Sequence, residues 1–180
     1  LYPASTTKLM TAYLAFKYGN MDDIVTVSDS VSSFASDEVV CNLQPGDTVT
    51  LYDLLCGLLL RSGNDCGVAI AEHISGSVEA FAELMNSEAK ALGATGSHFV
   101  NPHGLHNENH YTTAYDLYLI FNEAIKYDSF NEIIHMTSYQ TAYYDKDGKA
   151  KELTVNSTNR FLRGDFQAPE NITVIGGKTG

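Results

Sequence analysis

An α+β domain is what this 180-residue sequence predicts, on three observations. Apolar residues recur at three- and four-residue spacing in several segments, the mark of helices that bury one face. Short runs rich in Val, Ile, Thr and Tyr, bounded by Gly, Asp and Pro, lie between and after them and read as strands. With 44% hydrophobic and 18% charged residues, the chain has enough apolar surface for one core and too little length for several.

Each element follows from local signals. Residues 6–18 place Leu9, Met10, Tyr13, Leu14 and Phe16 at mixed three and four spacings and stop at Gly19, which predicts a mostly buried helix with Ser5 at its N-terminus. Residues 24–27 and 48–51 are short β-rich runs, the second preceded by the turn-forming Pro45-Gly46-Asp47. Helices are expected over 52–60 and 65–74, broken at Ser62-Gly63-Asn64, with Gly63 ending one and Asn64 capping the next. Residues 77–92 are amphipathic and stop at Gly93, and residues 113–125 repeat that design, with Tyr115, Tyr118 and Phe121 read as core. Between them, residues 96–111 hold Asn101-Pro102-His103-Gly104 and four histidines without period, so a long ordered loop is expected, a feature that is usually functional. Residues 139–145 and 149–155, joined through Asp147-Gly148, read as a hairpin. A last strand is expected over 172–175, leading into Gly176-Gly177-Lys178-Thr179-Gly180.

Charge and hydropathy exclude several classes of function. Eleven Lys plus Arg against 22 Asp plus Glu give a net charge of −11, which repels phosphate backbones, so no nucleic-acid partner is expected. The most apolar run, residues 51–60, is half of what a bilayer span needs and is interrupted by Asp53. No basic and apolar leader opens the sequence, so an export signal or membrane anchor is expected to lie outside it. Cys41, Cys56 and Cys66 are too few and too irregular for a disulfide framework or a zinc ribbon and read as small buried residues; one pair could close a bridge, leaving a third thiol over.

Ser5-Thr6-Thr7-Lys8 sets a hydroxyl and an amine three residues apart, on one face of a helix with Cβ atoms about 5 to 6 Å apart. A serine becomes a nucleophile only when a base takes its proton, and a lysine serves as that base only if burial and a second cation lower its pKa. Lys178 is the candidate second cation. The Ser-x-x-Lys spacing alone says little, since roughly one copy is expected by chance in such a chain; Ser87-Glu88-Ala89-Lys90 is one, on a surface helix. Ser-x-Asn is equally common and recurs at 129–131 and 157–159. Order and context carry the weight: Ser-x-x-Lys opens a buried helix, Ser62-Gly63-Asn64 lies on a break between two helices, and Lys178-Thr179-Gly180 ends a strand.

This ordered trio resembles the signature of penicillin-binding proteins and β-lactamases. The chain is most similar to the low-molecular-mass D-alanyl-D-alanine carboxypeptidases, over nearly its whole length: Tyr2-Pro3-Ala4-Ser5-Thr6-Thr7-Lys8, Leu60-Arg61-Ser62-Gly63-Asn64-Asp65, Asn101-Pro102-His103-Gly104-Leu105, His110-Tyr111-Thr112-Thr113, Thr158-Asn159-Arg160 and Gly176-Gly177-Lys178-Thr179-Gly180. The Asn-Pro-His-Gly-Leu loop separates it from β-lactamases, and no Glu-x-x-Leu-Asn segment is present to supply a deacylating glutamate. His106 departs from the family, which more often has Asp there.

The resemblance implies a β-lactamase/transpeptidase-like fold, of which residues 1–180 are expected to hold mainly the helical half plus one strand of the antiparallel sheet, as an incomplete catalytic domain lacking flanking strands at both ends. It implies Ser5 as nucleophile, Lys8 as its base, Ser62 as proton relay to the leaving amine, and Asn64 as holder of the substrate's peptide carbonyl. Lys178 and Thr179 would hold the terminal carboxylate, and Gly180 would let the substrate backbone lie close. The oxyanion would be met by the N–H of Ser5 and that of the residue following Gly180. The implied activity is removal of the last D-alanine from peptidoglycan stem peptides through an acyl-enzyme, outside the cytoplasm, inhibited by β-lactams and without metal or cofactor. The alternatives are a D,D-endopeptidase, a β-lactam or peptidoglycan sensor that acylates without turnover, and, remotely, a zinc-dependent hydrolase using His103, His106, His110 and Glu108.

Overall fold

The computed structural model describes residues 1–180. Its axis is α1 (Lys8–Tyr18), in which every residue from Lys8 to Ala15 is buried, as a helix that is mostly apolar all round must be. A 3₁₀ turn, Ala4–Thr7, precedes it, so Ser5 sits one turn outside the α-helix proper. Strand β1 (Ile24–Thr26) pairs antiparallel with β2 (Thr48–Thr50), Val25 opposite Val49. Helix α2 (Leu51–Cys56) follows at once, its first turn capped by the Thr50 hydroxyl, which accepts from the Asp53 N–H at 3.1 Å.

α2 ends in a π turn, Gly57–Arg61, closed by Ser62 in the left-handed region at φ 72°, ψ 31°. The break falls where expected, but its residues act differently: Gly63 is extended at φ −61°, ψ 119°, and Asn64 does not cap but opens α3 (Asn64–Ser75) with its side chain turned elsewhere. A left-handed non-glycine residue costs ~1–2 kcal/mol and persists where surrounding contacts impose it. α4 (Val78–Ala91) and α5 (Ala114–Ala124) are capped by Ser77 and Thr113, which accept from Ala80 N and Asp116 N. α1 packs against α3, α4 and α5.

α5 turns Asp116, Ile120 and Ala124, a strict four-residue stripe, toward the core. That leaves Tyr115 and Tyr118 on the outer side, 66% and 58% exposed, correcting their reading as core; Phe121 is half-buried with its ring against Phe130. Helix α6 (Asp128–His135), with Phe130, Ile133 and Ile134 buried, was not expected, because two turns without a side-chain cap leave too few periods to register. The hairpin is present as β3 (Ser138–Tyr144) and β4 (Ala150–Asn156), in register from Ser138 opposite Asn156 to Tyr144 opposite Ala150. A single pair, Thr48 opposite Tyr144, joins it to β2, completing a four-stranded antiparallel sheet in the order β1-β2-β3-β4.

The α+β class therefore stands, and the four strands of the sheet fall in the four segments read as β-rich runs and hairpin, while the last strand expected is missing. Residues 172–175 form no strand, and Ile172 and Ile175 are more than half exposed. A β-rich run becomes a strand only through a neighbour's ladder, and residues 172–175 pair with none of the four strands. The three cysteines are free and buried.

Candidate active site

The site forms where three chain breaks meet: the 3₁₀ turn ahead of α1, the left-handed turn between α2 and α3, and the extended segment at 176–180. Lys8, fully buried in the first turn of α1, lies at the centre. Its Nζ contacts Ser5 Oγ at 3.1 Å, Asn64 Oδ1 at 2.8 Å and the His103 carbonyl oxygen at 2.7 Å. Burial, and next the charge of Lys178, lower its pKa from 10.5 to about 7, while Cys66, Asp65 and Cys41 act in the opposite direction.

The three partners differ in kind. Asn64 Oδ1 and the His103 carbonyl can only accept, so they take two N–H bonds in either ionisation state; the Ser5 hydroxyl can accept or donate. Losing its proton therefore costs Lys8 no hydrogen bond, because the freed lone pair turns to the Ser5 O–H. The left-handed turn at Ser62 aims its Oγ at Lys178, whose Nζ donates to it at 3.0 Å and also to the Thr179 carbonyl at 2.6 Å. Burial lowers the Lys178 pKa to about 8. Thr179 is exposed and shares a 2.6 Å hydrogen bond with the Thr158 hydroxyl. A Cβ on Gly180 would stand 2.6 Å from Thr6 N, so the 177–180 segment lies against the Ser5 turn. Thus Ser5, Lys8, Ser62, Asn64 and Lys178 close on one point, with Thr179 and Gly180 on its rim. Beside them lies a cavity of about 460 Å³ lined by Ser5, Asn64, His103 and the acidic pair Asp37 and Glu38.

The long loop explains how the centre is held. Thr11 donates to the Pro102 carbonyl at 2.6 Å, and the Gly104 backbone, at φ 90°, presses on Ala4 so closely that a Cβ would stand 1.8 Å from the Ala4 oxygen. Buried His110 accepts from Val100 N at its Nδ1, which leaves the proton on Nε2 to bond Thr7 Oγ1 at 2.7 Å. Burial lowers the His110 pKa to about 4 and that of His103 to about 3, so both are neutral. His103, His106, His110 and Glu108 do not converge: His106 and Glu108 are exposed, with His106 edge-on to Tyr2, while His110 is committed to Thr7 and Val100. The zinc-hydrolase alternative loses its ligand set.

Three contributions carry no residue-type signal in the sequence. The His103 carbonyl acts through backbone alone. Thr158 reaches Thr179 across 21 positions. Asp65, 1% exposed, accepts from the N–H groups of Cys41, Leu43 and Cys66 and so ties residues 41–43 to the first turn of α3. Its place beside Ser62-Gly63-Asn64 was the one clue to it.

Comparison with known proteins identifies the family of the chain. The peptidase S11 profile, described as D-alanyl-D-alanine carboxypeptidase, matches residues 1–180. The D-alanyl-D-alanine carboxypeptidase DacF of Bacillus subtilis is 38% identical over 170 residues, covering 91% of this chain and 42% of that protein. DacC of Escherichia coli is 34% identical over 189 residues, covering 100% of this chain and 44% of its own. The chain thus spans less than half the length of these curated relatives. A mutant of the Streptomyces K15 DD-transpeptidase superposes with a TM-score of 0.88 at 31% identity, over 99% of this chain and 71% of its own.

Proposed function

The chain belongs to the D-alanyl-D-alanine carboxypeptidase family, and from that premise we propose that the protein it forms is a serine D-Ala-D-Ala carboxypeptidase acting on peptidoglycan stem peptides outside the cytoplasm. The observation that carries the reading is the Lys8 Nζ to Ser5 Oγ contact at 3.1 Å, with a lysine pKa of about 7. At that value roughly half the amine is free at pH 7, against about one part in 3,000 for an ordinary lysine. The neutral amine takes the Ser5 proton as Oγ attacks the carbonyl between the two D-alanines. Negative charge then develops on the carbonyl oxygen, where the Ser5 N–H is a donor.

Collapse of this adduct breaks the C–N bond and leaves an ester on Ser5, and the departing amine needs a proton. Ser62 Oγ, held by Lys178, supports a relay to it, and the Lys178 ammonium recovers the proton from Lys8 or solvent. Lys178 and Thr179 bring the positive charge and the hydroxyl that a terminal carboxylate needs on a protein of net charge −11. Asn64 has its Oδ1 on Lys8, so its NH₂ is free to hold the substrate's peptide carbonyl. Water then hydrolyses the ester.

Labelling of the full-length protein by a fluorescent penicillin tests the assignment: stoichiometric labelling is expected, with none in Ser5→Ala, and equal labelling of that variant overturns it. Acyl-enzyme lifetime separates a carboxypeptidase from a sensor without turnover, and a panel of linear and cross-linked peptides separates it from a D,D-endopeptidase.

A further inference from the structure

Beneath the Ser62-Gly63-Asn64 turn lies a group of side chains that the proposed chemistry does not use. Cys41, from the segment before β2, and Asp65 and Cys66, from the first turn of α3, are all buried, and their Sγ, carboxylate and Sγ atoms lie within 4.8 Å of one another. The third thiol, Cys56, is fully buried apart from this group. We propose that Cys41, Asp65 and Cys66 form a zinc site that clamps the 39–43 segment to the turn carrying Ser62 and Asn64.

The donor set suits the ion. Two soft sulfurs and one carboxylate are a zinc combination, with Zn–S near 2.3 Å and Zn–O about 2.0–2.2 Å, which puts ligand atoms on one tetrahedral centre ~3.5–3.8 Å apart, inside the observed spread. The sulfurs are not bonded to each other. The carboxylate is held in place beside the sulfurs: the N–H groups of Leu43 and Cys66 each donate to one of its oxygens and that of Cys41 is shared between both, so its orientation is fixed by backbone alone. The backbone also makes room for the sulfurs. A Cβ on Gly57 would stand 2.6 Å from Cys66 Sγ and 3.0 Å from Cys41 Sγ, and one on Gly63 would stand 2.7 Å and 3.2 Å from Cys41 and Cys66 Sγ. Any larger residue at either position would displace the pair.

The group is buried, but Cys41 borders a cavity of about 310 Å³ with Arg61 and Glu152, and Asp65 borders one of about 340 Å³ with Phe34 and Asn42. Either admits the ion and a water as fourth ligand. Binding replaces two S–H protons, released to solvent, by one Zn²⁺, so the group's net charge stays at −1 and the field it exerts on Lys8 is preserved. The Asn64 N–H already bonds the Val39 carbonyl at 2.8 Å, so a clamp here stiffens the backbone that presents Asn64 to Lys8. The inference rests on this geometry and not on the proposed hydrolysis.

The test is metal content and zinc titration of the purified full-length protein after chelation and gel filtration, with Co²⁺ as a spectroscopic substitute. Expected are about one equivalent of zinc, thiolate-to-cobalt charge-transfer absorption, protection of two thiols from an aromatic disulfide reagent until chelator is added, and a higher melting temperature with zinc than without. Cys66→Ser and Cys41→Ser lose the ion, while Cys56→Ser retains it. Absence of stoichiometric zinc in the folded wild-type protein overturns the proposal, as does a mass two hydrogens short, which would mark a Cys41–Cys66 disulfide. Because these readouts need no substrate, they stand whether or not Ser5 acylates.

Discussion

Removing the second cation should move the pH at which Ser5 becomes reactive. Lys8 falls from 10.5 to about 7, a shift worth ~5 kcal/mol at 1.36 kcal/mol per unit, with burial the first cause and Lys178 the second. At an effective dielectric of ~20, a unit charge between ~8 and ~16 Å away contributes ~1–2 kcal/mol, or about one pKa unit. Lys178→Gln should therefore carry the alkaline-rising limb of acylation from about pH 7 to about pH 8. At pH 7 the free amine would drop from about half to about a tenth, a ~5-fold loss at saturating β-lactam that one unit of pH recovers, on top of a pH-independent loss from the missing relay partner of Ser62. The assay is single-turnover acylation against pH, each point at saturation, because losing Lys178 also weakens carboxylate binding and that loss must be kept out of the rate. Lys178→Arg keeps a charge and should leave the limb near 7. A limb unmoved in Lys178→Gln would refute the coupling and assign the shift to burial alone.

Gly104→Ala places a Cβ 1.8 Å from the Ala4 oxygen and imposes φ 90° on a residue that avoids it, so the backbone under Ser5 must shift. A loss of at least ~100-fold in acylation is expected, with destabilisation of ~2–4 kcal/mol by denaturant melts, and a near-native variant would contradict the contact. His110 is held neutral with its pKa lowered from 6.5 to about 4. Between those values the unfolded chain binds the proton that the native state refuses, so stability falls as pH drops from about 6.5 to about 4 and is unaffected by this group above that window. Its full contribution is ~3 kcal/mol, and His110→Gln, which can still donate to Thr7, should flatten the acid side of the stability profile.

What the sequence determined by itself was whatever short-range chemistry dictates. The apolar period of α1, the span of α4 and α5 between Ser77 and Gly93 and from Thr113 on, and the Asp147-Gly148 turn are decided by neighbours a few residues apart, and each formed close to where its residues said it would, whereas the cap expected at Asn64 did not form. Motif order singled out Ser5, Lys8, Ser62, Asn64 and Lys178, because hydroxyls and amines at chain breaks are rare enough together to stand out. The fate of residues 172–175 turned on a ladder partner, which no local pattern supplies. The outward side of α5 turned on which stripe α1 covered, and the left-handed turn fell on Ser62 instead of Gly63 because contacts across the site hold it there. Above all, tertiary structure made Lys8 unusual: its lowered pKa comes from burial and from a cation 170 positions away, and fields and desolvation act through space rather than along the chain.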